Sequence, residues 1–144
     1  MLKLFLILSL MLLASCEPMG PLPGGQLSGT VVSVPENWAA FGDVEIMQIE
    51  TRSESPYSIN IWAVDVGTSI YIASGSGAQT EWVEHLQEDP GIRLRISDNL
   101  YELVVTKVTD TAELEEVHAR YIEKYDYQTD VAPDDAWVYR LDPR

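Results

Sequence analysis

Few side chains in this chain are equipped for chemistry, and their spacing limits what that chemistry could be. Cys16 is the single cysteine and follows an apolar run from Leu4 to Ala14. His85 and His118 are the two histidines, and neither has a histidine or cysteine at metal-ligand spacing, so zinc is not expected. Asp134-Asp135 lacks the spacing of a calcium loop and reads as solvated. No Gly-x-Ser-x-Gly elbow occurs, which leaves hydrolytic nucleophilic catalysis without support. Anion binding is what remains. Ser74-Gly75-Ser76-Gly77 leads into a candidate helix, and the backbone N–H groups of such a loop can hold an anion without a positive side chain. Arg52 could complete that clamp; the plainer reading is a surface arginine and a hairpin-to-helix turn. Arg93 and Arg95 could line a groove, but arginines alternating with apolar residues more simply mark a solvated strand face, with Glu102 as a cross-strand partner. Trp38, Trp62, Trp82 and Trp137 read most simply as core, although Trp38 and Trp62 could stack on a flat ring. His118 sits on a polar helix flank and receives no role.

Composition narrows the partners. The chain has 9 Lys and Arg against 23 Asp and Glu, a formal charge of −14. Nucleic-acid binding rests on basic contacts to phosphate, so it is excluded as a function class. Hydrophobic residues make up 46% of the chain, enough for one globular domain.

The elements that must position these residues follow from periodicity. Residues 1–15 have a short positive region at Lys3, an apolar core and small residues before Cys16, the pattern of a secretory signal peptide. Residues 16–29 are rich in Pro and Gly and read as a tether without a core of its own. Residues 30–144 form the domain. Thr30–Val34 and Val44–Thr51 read as strands, the second with a slip at Met47 that could mark a bulge. Ser58–Val66 is apolar on both faces, as in a central buried strand, and turns at Gly67-Thr68 into Ser69–Ala73. Gln79–Glu88 reads as a helix with Thr80 as N-cap and Trp82, Val83 and Leu86 on its apolar face. Ile92–Ser97 and Leu100–Thr109 form a hairpin around Asp98-Asn99. Asp110 opens a second helix in a capping-box-like sequence, with Leu114, Val117, Tyr121, Ile122 and Tyr125 on one stripe. Asp126–Asp135 reads as acidic loop and Trp137–Leu141 as a last strand. The tally is about six strands and two helices, a mainly β (α+β) small antiparallel barrel that buries its apolar faces by closing on itself.

Two resemblances add to this reading. Leu13-Ala14-Ser15-Cys16 resembles the bacterial lipobox, which implies cleavage before Cys16, acylation of its thiol and a lipid anchor in the cell envelope facing the periplasm. A mature chain starting there carries 8 Lys and Arg against the 23 acids. Glu17 stands where an aspartate would resemble the inner-membrane retention signal of enteric bacteria, so the reading leans to the outer membrane. From Glu45 to Tyr125 the order of features resembles the split-barrel flavin and deazaflavin reductases, including pyridoxamine-phosphate oxidases and deazaflavin-dependent nitroreductases. The resemblance lies in Ile49-Glu50-Thr51-Arg52, the strand Ile59–Val66, Ile70-Tyr71-Ile72-Ala73-Ser74-Gly75, Trp82 through His85-Leu86, and Asp89-Pro90-Gly91-Ile92-Arg93-Leu94. It implies FMN or a deazaflavin as cofactor, with Arg52, Ser74, Gly75, Ser76, Gly77, Trp82 and His85 as the binding residues. It also implies reduction of a small hydrophobic acceptor and a homodimer. Here the first phosphate loop, Arg52-Ser53-Glu54-Ser55-Pro56-Tyr57, lacks lysine and carries Glu54. The alternative is a non-catalytic envelope lipoprotein that uses the same barrel to bind a ligand or protein, without cofactor.

Overall fold

A run that is apolar on both faces must be covered from both sides, and Ile59–Val66 meets that demand by turning a corner. In the computed structural model, which describes residues 17–52, 54–126 and 136–144, this run is two strands separated by Trp62: β3 (Tyr57–Ile61) and β4 (Ala63–Val66). The others are β1 (Thr30–Val31), β2 (Met47–Thr51), β5 (Ser69–Ser74), β6 (Gly91–Ile96), β7 (Asn99–Lys107) and β8 (Trp137–Pro143), with helices α1 (Glu81–Glu88) and α2 (Thr111–Tyr125). The strand order is β3-β2-β6-β7-β8-β5-β4, with β1 parallel to β7. Consecutive strands β3 and β4 therefore stand at opposite ends of the order, and one residue joins them. The sheet has curled until its ends meet, which gives an eight-stranded split barrel among the described residues instead of six strands. Ser58–Val66 is accordingly not a central strand. Ala63 faces the barrel interior and Val64 the layer beneath α2, so helix cover accounts for the second apolar face.

The interior is filled by Met47, Ile49, Ile72, Leu94, Leu103 and Leu141, each at most 2% exposed. Met47 and Ile49 open β2 in regular alternation, so the expected slip is simply the strand start, and Ile46 before it is half exposed. The β6–β7 turn falls one residue earlier than expected, at Ser97-Asp98, with positive φ (54°) at Ser97. Helix α2 begins as predicted, with the Asp110 carboxylate accepting the Glu113 N–H at 2.9 Å. Val117 and Tyr121 are buried against β4 and β5, whereas Ile122 from the expected stripe is 41% exposed.

Both end strands are covered. Gly24 and Ser58 exchange two backbone bonds of 2.8 and 2.9 Å along β3. On β4, the Ala63 N–H donates to Tyr125 Oη at 3.1 Å and its carbonyl accepts from Lys124 Nζ at 2.7 Å. Residues 17–29 lie against the barrel: Leu27 is buried, its N–H donates to the buried Glu50 carboxylate at 2.6 Å, and Glu17 pairs with Arg95 at 2.8 Å. The expected signal segment, Cys16 and residues 127–135 of the acidic loop lie outside the described residues.

Candidate functional site

Helix α1 separates the anticipated binding residues into two depressions. Trp82 and His85, an i, i+3 pair on one side of the helix, are both buried, and each lines a different depression. The first is an open groove of about 570 Å3 between the Ser74–Ser76 loop, the β3–β4 corner and Trp82. Ile59, Ile61 and Trp62 supply its apolar wall, and Asn60, Ser74, Ser76 and Thr80 its polar groups. The second, about 490 Å3, is lined by Arg52, Gln79, Glu81, Glu84, His85 and Glu88. The structure thus brings Ser74, Gly75, Ser76 and Trp82 together but places Arg52 and His85 apart from them. Gly77 is buried below the loop, where its φ of 55° suits glycine and lets the chain enter the helix.

In the groove, the Ser74 hydroxyl is already used. It donates to the Gly77 carbonyl at 3.2 Å and lies 2.5 Å from Thr80 Oγ1. Thr80 occupies the N-cap position of α1 as expected, but its side chain makes this contact instead of a capping bond. Gly75 is exposed, with nothing within 4 Å of where a Cβ would stand. Trp82 is 4% exposed and meets Tyr139 edge-on at 5.8 Å, so it is mainly core with one edge on the groove. Trp62 is 42% exposed, contrary to a core role, and stacks on Tyr125 at 4.4 Å and 6°. Trp38, the other candidate for ring stacking, is enclosed beside Tyr101 inside the barrel.

The second depression is polar and coupled. His85 Nδ1 lies 2.8 Å from Thr51 Oγ1, and its ring packs edge-on to Tyr57 at 4.9 Å. Its Nε2 is 3.9 Å from the Glu81 carboxylate. Burial first, and then the nearby Arg52 charge, hold the His85 pKa below its ordinary value, against the pull of Glu81, Glu84 and Glu88. Arg52 has φ of 55°, places its guanidinium 5.6 Å from the Tyr57 ring centre, and buries an Nε with no hydrogen-bond partner among the described residues. Arg93 and Arg95 take no part in either depression: Arg93 faces Glu102 at 3.5 Å and Arg95 holds Glu17.

These linings decide what can bind. A phosphorylated flavin would need its phosphate met by cations or a concentration of N–H groups. Among the described residues no Lys or Arg lines the groove, and α1 carries Glu81 and Glu84 in its first turn, opposing the dipole that would favour an anion. Arg52 stands among three glutamates instead. The residues present do not fit a phosphorylated flavin; they fit an uncharged ligand with a flat apolar body. Among the described residues no cluster of three His, Cys, Asp or Glu could hold a metal, and no helix is long and apolar enough to cross a membrane. Sequence reading missed Thr51 and Tyr57 as the residues that fix His85, and it missed His118. The latter lines an apolar pocket of about 180 Å3 under α2 with Leu114, Tyr121 and Val138, next to the groove. Only the helical spacing of Leu114, Val117 and Tyr121 hinted at that pocket.

Solved structures with the same fold include proteins described in different terms. An FAD-binding protein from Mesorhizobium loti is 8% identical with a TM-score of 0.54, over 72% of this chain and 82% of that one. A heme storage protein from Vibrio cholerae is 15% identical with a TM-score of 0.53, over 69% and 82%. An F420 reductase is 15% identical with a TM-score of 0.51, over 77% and 96%. At these identities the likeness is of fold, and it supports the split barrel that the strand order shows. No curated protein matches the sequence. One family model does, over residues 37–137, from the residue before Trp38 to the start of β8. With most of its domain matched, the chain belongs to the family of uncharacterized proteins conserved in bacteria called DUF2255.

Proposed function

We propose that this protein is a lipid-anchored envelope lipoprotein, acylated at Cys16 and facing the periplasm, whose split barrel binds a small, uncharged, hydrophobic ligand in the groove beside Trp82. The observation that carries the ligand reading is the lining: Ile59, Ile61, Trp62 and Trp82 around a few neutral polar groups, with no Lys or Arg among the described residues there. Apolar walls with a few placed polar groups are the usual form of a small-molecule site. The Cys16 reading rests on the lipobox-like junction and on the apolar run before it.

A second reading, a reductase using FMN or a deazaflavin to reduce a hydrophobic acceptor, is supported by the fold shared with an FAD-binding protein and an F420 reductase. In such enzymes the cofactor carries the redox chemistry and the protein orients it. The two readings differ on phosphate. Titration of the purified protein with riboflavin and with FMN, followed by flavin fluorescence, should show that the phosphate adds no affinity. FMN binding tenfold or more tighter than riboflavin would overturn the neutral-ligand reading and favour the reductase. Failure of both, with quenching of tryptophan fluorescence by a simple quinone, would leave the ligand-binding reading alone. Mass spectrometry of the mature N-terminus tests Cys16 directly, and an unmodified thiol would end the lipoprotein reading.

A further inference from the structure

We propose that the rim of the groove beside β3 is a membrane-contact surface, which holds the domain with this groove turned towards the bilayer. The proposal rests on the lipoprotein reading above and adds an orientation to it. Met19, Leu22, Ile46 and Trp62 are 65%, 61%, 51% and 42% exposed. Single exposed apolar residues are ordinary, but these share one rim. Gly20, inside the Met19–Leu22 turn, lines the groove with Ile46 and Trp62, and its carbonyl accepts from Asn60 Nδ2 at 3.2 Å. Met19 and Leu22 exchange two backbone bonds of 3.0 and 2.9 Å, so the turn presents both side chains in a fixed way.

The position of the anchor identifies what meets this rim. Glu17, the residue after Cys16, is fastened to Arg95 at 2.8 Å and accepts from the Ser28 N–H and hydroxyl at 3.1 and 2.7 Å. One extended residue spans at most about 3.6 Å, so acyl chains on Cys16 would enter the bilayer beside a docked residue and leave the domain no slack to stand away. The Met19–Leu22 turn begins two residues further on, which puts its side chains at the depth where interfacial apolar groups bury, about 5–10 Å into the headgroup boundary. Residues 17–29 contain no Lys or Arg, and Asp43 and Glu45 precede Ile46. The contact is therefore apolar, and anionic lipid weakens it. A ligand dissolved in the bilayer would reach the groove without crossing water.

The test uses the lipidated mature protein in phosphatidylcholine vesicles with brominated acyl chains, read by tryptophan fluorescence. Bromolipid should quench the wild type, and Trp62→Phe, which keeps a ring on Tyr125, should remove most of that quenching. The double variant Met19→Ser, Leu22→Ser changes exposed residues only; it should keep its circular dichroism spectrum and lose the quenching. Hydrogen exchange across residues 17–26 should slow about tenfold on vesicles. Quenching that persists in Trp62→Phe, or exchange that vesicles leave unchanged, overturns the orientation. A concentration-dependent dimer with no bromolipid quenching also overturns it, in favour of a second copy on this rim. The two levels separate cleanly: acylated Cys16 with unquenched Trp62 sinks the orientation alone, whereas an unacylated Cys16 sinks the anchor.

Discussion

The two depressions beside α1 are built from one helix and differ in almost every physical respect. On the Trp82 side the walls are aliphatic and aromatic, the polar groups are neutral, and the loop hydroxyl of Ser74 bonds within the loop. On the His85 side an arginine and a histidine sit among three glutamates, tied to Thr51 and Tyr57. Residues three apart share a side of a helix, so the split is set by what packs beside each: the Ser74–Ser76 loop and the β3–β4 corner beside Trp82, Thr51 and Tyr57 beside His85. The lesson is that residues adjacent in a family-like motif need not share a site. The groove is walled by apolar side chains and neutral polar groups. The other side is an acid-rich support in which His85 ties the helix to β2 through Thr51.

Substitutions can break this contrast in graded ways. The largest effect is expected for Trp82→Ala, which removes a core side chain that also walls the groove. It should cost about 3–5 kcal/mol in denaturant unfolding and abolish ligand binding with it. Thr51→Val removes the partner of His85 Nδ1 and should cost about 1–3 kcal/mol while leaving groove binding intact, since it touches only the polar side. Gly77→Ala forces a Cβ into φ of 55° and should cost about 1–2 kcal/mol in thermal or denaturant unfolding. The next effect is one of pH. The native His85 pKa lies below its unfolded value, so its neutral form supports the fold. That contribution is complete above about pH 6.5 and is lost as pH falls from there through the native value. Denaturant midpoints across pH 4–8 should show the slope in wild type and a smaller one in His85→Gln. The smallest stability effect is expected for Gly75→Ala, within about 0.5 kcal/mol because the space is open. The same change should still weaken binding, since the new methyl stands at the groove. If Gly75→Ala were silent in binding and Thr51→Val were not, the assignment of the two sides would be reversed.

Much of the architecture was legible because the local signals agreed with the global fold. Alternation in Ile92–Ile96, the Asp110 cap and the Trp82–Val83–Leu86 face all appear where periodicity places them. The corner at Trp62 was missed because a run covered by barrel interior on one side and by α2 on the other has the same hydrophobic pattern as a central strand. Ile122 failed because the helix stripe is narrower than its apolar residues suggest. For the candidate site, the glycine-rich turn before an amphipathic helix was legible, Trp82 entered through the family resemblance, and the structure sets both on one groove. Their separation from Arg52 and His85 was not legible, since it depends on what packs beside each side chain. The docking of residues 17–29 was hidden for a related reason. Pro and Gly report backbone stiffness, whereas the contacts that fasten this segment come from Glu50 and Arg95, far along the chain.

The corner at Trp62 has a mechanical consequence. Backbone ladders run around the barrel from β3 to β4, but the joint between these two strands is a covalent bend and not a ladder. The barrel therefore has a seam, and spreading it breaks side-chain packing while every rung of the sheet stays intact. The groove opens along this seam, with Ile59, Ile61 and Trp62 on its lip. Under the ligand-binding proposal, a hinge-like gape along this lip is the way a bulky guest would enter.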